Sequence, residues 1–462
     1  MILESLAIFT PAMLAGFGLV QLLWKDQRIS ALALKLFVGA GLGIGLTSCL
    51  YFFRLLAGPG QGGYLMIQIG LLIVVLFALL WQKRIPGRVS LPATTLTPVQ
   101  ILMTVIAVLV TGIALYFLVS AARLAPHGDY DAHAIWNLRA RFIYRSGDAW
   151  QDAFSPLINR DFHMDYPLLV PLSVVGGWNT LGSEVLRIPT VLSMVALLGM
   201  AGTMYCTLVH LRSVSQAALA VILLLATPDL LLYSTFQTAD IPLTYYFVAS
   251  ASLLILAHHE NDRRLMLLSG LMAGLAAWTK NEGLTFVLLM TGCTLLLFAK
   301  QGAYPALLAF LGGTAFPLLT VLLFKTLVSA NNDLFADNPI SQIVPRLLDG
   351  ERYARIFTHL LPELGRLGDW PISILVVLLV YGWTMGAAKN LSRAEKAVWL
   401  IPLSQLTIYL LIYLITPHDL DWHMNYSMSR LLIHVFPLAL FAFFLVFNTP
   451  EDVLSQSSIH GA

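Results

Sequence analysis

Two aspartates, Asp129 and Asp131, stand in the segment HGDYD where a long apolar run ends and a polar stretch begins. A carboxylate at such a boundary can act as a general base that takes the proton from an acceptor hydroxyl. The pair can also hold a divalent cation, and either residue can cap a helix start. Further along, Lys280 and Glu282 sit two residues apart in TKNEG, between two apolar runs. A Lys there is a point charge for a phosphate, or it snorkels to the interface beside its Glu. Near the C-terminus, His418, Asp419, Asp421, His423 and Arg430 gather in HDLDWHMNYSMSR. Arg is suited to bidentate contact with phosphate, and interfacial anchoring is its alternative use. His434 follows Arg430 by one helical turn and reads as a structural hydrogen-bonder. These histidines form no zinc motif.

The surrounding chain places these groups. Of its 462 residues, 58% are hydrophobic and 11% charged, with a mean hydropathy of +0.78. Soluble domains carry about 25% charged residues, so lipid is the solvent for most of this chain. The expected fold is all-α and polytopic. Net charge is +2, and no basic stripe with interleaved aromatics occurs, which argues against nucleic acid as a partner. Cys49, Cys206 and Cys293 each lie in an apolar run and read as packing residues.

Runs of about 20 apolar residues mark about 13 candidate spans. They fall near 6–24, 33–57, 64–82 and 100–122; then 184–210, 215–232, 238–258, 265–280, 283–299 and 303–328; then 371–388, 397–416 and 430–448. The first lacks the basic start and small-residue end of a signal peptide and reads as a retained span. Lys and Arg collect on one side: Lys25 and Arg28, Lys83, Arg84 and Arg88, Arg212, Arg263 and Arg264, Lys300, then Lys389, Arg393 and Lys396. That side is expected to be cytoplasmic. The other side receives the polar gaps 123–183 and 329–370 and most acidic residues, including Asp148, Asp152, Asp161, Asp165, Asp229, Asp240, Asp333 and Asp337. Loops that long are usually functional.

In the first gap, apolar residues at helical spacing from Asp131 to Tyr144, with Arg139, Arg141 and Arg145 among them, predict an amphipathic helix in the interface. A second is expected over Tyr166–Leu181, between Pro167 and Gly182. Tyr130, Trp136, Tyr144, Trp150, Tyr166 and Trp178 suit an interfacial belt or stacking on a sugar ring. The scattered cations of this side include Arg160, Lys325, Arg346, Arg352 and Arg355.

In this order the motifs resemble the GT-C superfamily of membrane glycosyltransferases, nearest the protein mannosyltransferase and lipid A aminoarabinose transferase branch. In that branch an Asp near the end of a transmembrane helix opens the first external loop, and two juxtamembrane helices follow. Here that Asp corresponds to Asp131 or Asp129. His163-Met-Asp165-Tyr166-Pro167-Leu168 is a loose version of the family's His-Pro-Pro segment. SEVLRIP supplies Glu184, Arg187 and Pro189 for the acidic-Arg-Pro start of the next span. QTADIPLTYYF places Asp240 and Pro242 at the head of a span, and GLAAWTKNEG follows the pattern G-L-A-x-x-T-K-x-E-G. The likeness covers about residues 100–328. Three spans precede it, and Asp-Tyr-Asp stands where the family usually has Asp-Glu.

The resemblance implies four regions: extra N-terminal helices over 1–99, a core over 100–328 with external loop 123–183, a second external loop over 329–370, and C-terminal helices over 371–462. It implies a polyprenyl-phosphate-sugar donor, an acceptor that is a glycan, lipid or protein, and inverting transfer with Asp131 or Asp129 as base. His163, Asp165, Tyr166, Asp240, Lys280, Glu282, His423 and Arg430 become candidate substrate-binding residues. A bacterial inner membrane, with the site on the periplasmic side, is the expected location. A transporter or flippase of a lipid-linked saccharide is the rival, but no internal repeat occurs and the unusual charges collect at one interface rather than at mid-membrane.

Overall fold

The computed structural model describes residues 2–60, 62–84, 96–155, 157–158, 163–299, 303–328 and 339–453. Arg88, Arg160, Asp161, Lys300, Asp333 and Asp337 lie outside them. Every element in the described residues is a helix. In chain order these are α1 (Ile2–Ala7), α2 (Thr10–Leu23), α3 (Ile29–Leu56), α4 (Tyr64–Trp81) and α5 (Pro98–Leu124). A π-helical turn, Ala132–Trp136, then leads into α6 (Asn137–Ser146), followed by α7 (Leu169–Leu181), α8 (Arg187–Leu211), α9 (Val214–Leu225) and α10 (Pro228–Thr235). Next come α11 (Asp240–Glu260), α12 (Arg263–Thr279), α13 (Glu282–Phe298), α14 (Ala303–Leu327), α15 (Ile340–Leu348) and α16 (Gly350–Gly365). The last are α17 (Ile374–Met385), α18 (Arg393–Ala397), α19 (Leu400–Ile415) and α20 (Leu420–Val446).

Eight helices are long and apolar enough to cross a membrane, or up to ten if each of two bent pairs is one span. The protein is thus a multi-pass integral membrane protein. Three expected spans fall on helices of fewer than 18 residues: 6–24 on α2 with 14, and 265–280 and 283–299 on α12 and α13 with 17 each. At 1.5 Å per residue the 14 residues of α2 reach about 21 Å, less than the hydrocarbon core. The expected span 215–232 is α9 and α10, which bend by 61° at their junction.

Helix α11 is the hub. Its residues from Asp240 to Ala257 are all buried, as expected of a helix apolar on every side. Tyr245 and Tyr246 donate to the Phe37 and Gly41 carbonyls of α3 at 2.6 and 2.9 Å. Ser250 and Ser269 exchange hydrogen bonds with each other's carbonyls, joining α11 to α12. α12 lies closely on α14 because Gly270 and Gly313 have no side chain: a Cβ on either would stand 2.0 and 2.1 Å from a facing carbonyl oxygen.

The first long loop departs from the expected pair of surface helices. α6 is present, but Arg139 is buried and donates inward to the His163 carbonyl at 2.9 Å. α7 is enclosed by protein rather than amphipathic: Leu169 through Trp178 are all buried, and the helix packs among α3, α4, α6 and α8. The reason lies in its composition, LVPLSVVGGWNTL, which lacks a charged face. The expected aromatic belt divides likewise: Trp136, Trp150 and Trp178 are core residues, while Tyr130 is exposed.

Candidate active site

The ends of α12 and α13, the loop after α5 and the middle of α20 meet around Asp240, the first residue of α11. One carboxylate oxygen, Oδ1, accepts from Lys280 Nζ at 2.9 Å and meets His434 Nε2 at 2.8 Å. The other accepts from Arg430 Nη2 at 2.8 Å and from Thr238 Oγ1 at 2.9 Å. Arg430 turns its second terminal nitrogen, Nη1, to Asp131 Oδ2. Lys280 also pairs with Glu282 Oε1 at 2.9 Å. The cluster holds three carboxylates and two fixed cations, arranged as an alternating chain from Asp131 to Glu282. Burying Asp240 is tolerable because every lone-pair direction meets a donor.

Local sequence explains these placements. Lys280 ends α12 in extended conformation and Glu282 opens α13, with Gly283 closing the turn. A Cβ at Gly283 would lie 2.1 Å from the Ala276 carbonyl oxygen, so the turn needs glycine there. Arg430 and His434 are one turn apart on α20 and face Asp240 together. Asp131 precedes the π-helical turn after α5.

A clamp holds the Asp131 loop against the head of α11. Gln237 is buried and adopts a left-handed backbone, φ +59°. Its amide donates to the Pro126 carbonyl and Thr190 Oγ1, both at 3.1 Å, and accepts from Asn137 Nδ2 at 2.8 Å. Beside it, the Phe236 carbonyl accepts from the Asp129 backbone N–H at 3.3 Å. A strained non-glycine residue at such a junction persists only when its contacts over-determine it.

The candidate residues therefore separate. Asp131, Asp240, Lys280, Glu282 and Arg430 converge. Asp129 stays exposed and serves the turn through its backbone. Asp165 belongs to a neighbouring network, accepting from Asn281 Nδ2 at 2.8 Å and Lys325 Nζ at 3.1 Å. Tyr166 stacks between Trp136 and His163, with centroids at 5.5 and 4.8 Å, and Lys280 Nζ lies 5.8 Å from its ring centre. His423 is apart, bonded to Thr416 Oγ1 at 3.0 Å and packed on Tyr413. His434, Thr238 and Gln237 join the site although single-residue patterns do not mark them; only the i, i+4 spacing of Arg430 and His434 hints at a shared face.

For metal, the described residues bring three ligating side chains within reach at Asp26, His210 and Glu260, not at Asp129 and Asp131. That group lies at the opposite end of α11, and the Arg28 guanidinium already bonds to Asp26, His210 and Glu260.

Residues 179–324 match the model of a family described as dolichyl-phosphate-mannose-protein mannosyltransferase. No curated protein and no solved structure matches the chain. The matched stretch takes in Asp240, Lys280 and Glu282, and it supports a membrane glycosyltransferase of the GT-C type. Asp131 and Arg430 lie outside it.

Proposed function

We propose that the protein transfers a sugar from a polyprenyl-phosphate donor to an acceptor hydroxyl of a glycan, lipid or protein, with inversion, on the non-cytoplasmic face. The observation that carries this reading is the chain Asp131–Arg430–Asp240–Lys280 at one end of the bundle. Asp131 is the general base. Its Oδ2 is held by Arg430, which fixes its direction, while Oδ1 has no hydrogen-bond partner among the described residues and is available to the acceptor. In the step, the acceptor oxygen bonds to the anomeric carbon, the bond from that carbon to the phosphate oxygen breaks, and the acceptor proton passes to Asp131. The lipid phosphate leaves with the bond's electron pair.

Arg430 remains about a quarter exposed, whereas Lys280 is enclosed by two carboxylates. A guanidinium has five N–H donors. The departing phosphate is therefore assigned to the exposed edge of Arg430, and Lys280 is a positioning residue that steadies Asp240. The Trp136–Tyr166–His163 stack, beside Lys280, is the candidate aromatic wall for the sugar. The non-cytoplasmic face is supported by charge: Lys25, Arg28, Arg212, Arg263 and Arg264 lie at the end of the bundle opposite Asp240.

The test is transfer by the purified protein in nanodiscs, supplied with a panel of polyprenyl-phosphate sugars and acceptors. Donor-dependent transfer with an inverted anomeric centre is expected. Transfer with retention, or no release of polyprenyl phosphate from any donor, contradicts the reading.

A further inference from the structure

Helix α16 has two apolar edges. Ile356 and Leu360 are buried against the bundle, chiefly α20 and α19. Tyr353, Phe357 and Leu361, spaced four apart, form a row that is 39%, 54% and 66% exposed. The rest of the helix, including Glu351, Thr358 and Glu363, is polar. Such a helix needs a second apolar medium for its outer row.

Its orientation identifies the medium. The segment Gly350–Asp369 meets α17 at 80°. α17 exposes Val376, Leu379, Val380 and Trp383, a surface made for acyl chains. A helix at nearly a right angle to this short apolar helix, with Glu351, Arg352 and Arg355 in its first turns, suits the membrane plane rather than its depth. The bend is pinned: Trp370 Nε1 donates to Thr227 Oγ1 at 3.2 Å, and Gly368 takes φ +76° where a Cβ would come within 2.6 Å of Thr227. The roll of α16 is pinned as well. Arg352 donates to the Tyr413 carbonyl at the end of α19 at 2.9 Å, and Arg355 pairs with Asp421 at the start of α20. With both arginines turned to the bundle, the outer row is held away from it.

We propose that α16 is an interfacial helix whose Tyr353, Phe357 and Leu361 insert into the outermost acyl region of the bilayer, setting the membrane surface level with the start of α20. The occupant is lipid, because α16 packs against α17, which exposes the apolar Val376, Leu379, Val380 and Trp383. This assignment is independent of the transfer chemistry.

The test uses the full chain in nanodiscs of phosphatidylethanolamine and phosphatidylglycerol. Nitroxide labels go on Phe357→Cys, Leu361→Cys and, as reference on the polar side, Thr358→Cys; the native Cys49, Cys206 and Cys293 are buried. Relaxation by oxygen relative to a water-soluble nickel chelate is read at each site. The proposal expects the oxygen-to-nickel ratio at 357 and 361 to exceed that at 358 several-fold. Equal ratios at the three sites, low with water on both sides or high with lipid on both sides, overturn it. So does loss of access to both reagents at 357 and 361, which means a protein surface covers the row.

Discussion

Asp131 and Arg430 stand 299 positions apart in the sequence and form an ion pair. The same guanidinium reaches Asp240 at 2.8 Å, so one residue of the last long helix ties the first loop to the head of the central helix. The arrangement makes Arg430 both a support for the proposed base and the more exposed of the cluster's two cations.

Asp240 is the buried member on which the others depend. Replacing it by Asn removes the charge that Lys280 and Arg430 share, and breaking a buried ionic network from one side costs about 3–5 kcal/mol. Asp240→Asn is therefore expected to lower unfolding stability in mixed micelles by that order, whereas Asp129→Asn, at an exposed position, changes it by less than about 0.5 kcal/mol. Equal effects of the two variants contradict the hub role.

Lys280 and Arg430 should respond differently to conservative exchange. Arg430→Lys loses the fork that contacts two carboxylates at once. A fall in kcat/KM of about 10²-fold is expected, since one lost charge-assisted contact in a transition state is worth about 3 kcal/mol. Lys280→Arg should act mainly on stability, because Lys280 is enclosed. A donor KM raised more by Lys280→Arg than by Arg430→Lys would reverse the phosphate assignment.

Gln237 offers a test of strain against contact. Gln237→Gly relieves a left-handed backbone worth about 1 kcal/mol but loses three side-chain hydrogen bonds. Net destabilisation of about 1–3 kcal/mol is expected, with Gln237→Glu retaining more activity than Gln237→Gly. A stabilised glycine variant of full activity would show that the clamp does nothing for the site.

Outside the membrane-spanning helices, the Arg145 guanidinium holds the Glu184 carboxyl below its ordinary value. A depressed folded pKa contributes stability that is complete above the unfolded value of 4.5 and fades as pH falls through the folded one. Glu184→Gln should therefore shift the unfolding midpoint slightly at pH 6 and not at pH 3. A shift that grows toward acid pH contradicts the pairing.

Much of this site is legible in the residues themselves. Asp131, Asp240, Lys280, Glu282 and Arg430 are charges at the ends of apolar runs, where lipid makes an ionisable group conspicuous. The Lys280–Glu282 pair is legible from its spacing, but the long-range pairings are not, because nothing in a linear chain shows which carboxylate Arg430 meets. Asp165 and His423 carry the same local signals and yet bind Asn281, Lys325 and Thr416 instead. α7 misled for another reason: Pro167 and Gly182 mark its ends correctly, but its apolar sequence suits burial, and the amphipathic pattern sought there occurs in α16.

The base assignment is the centre of the account, and single-turnover transfer by Asp131→Asn and Asp129→Asn in nanodiscs tests it most directly. Loss of a general base costs about 10²- to 10⁴-fold, so Asp131→Asn should slow transfer by that factor while Asp129→Asn stays within a few-fold of the native rate. Native-like transfer by Asp131→Asn, or a larger loss in Asp129→Asn, would contradict it.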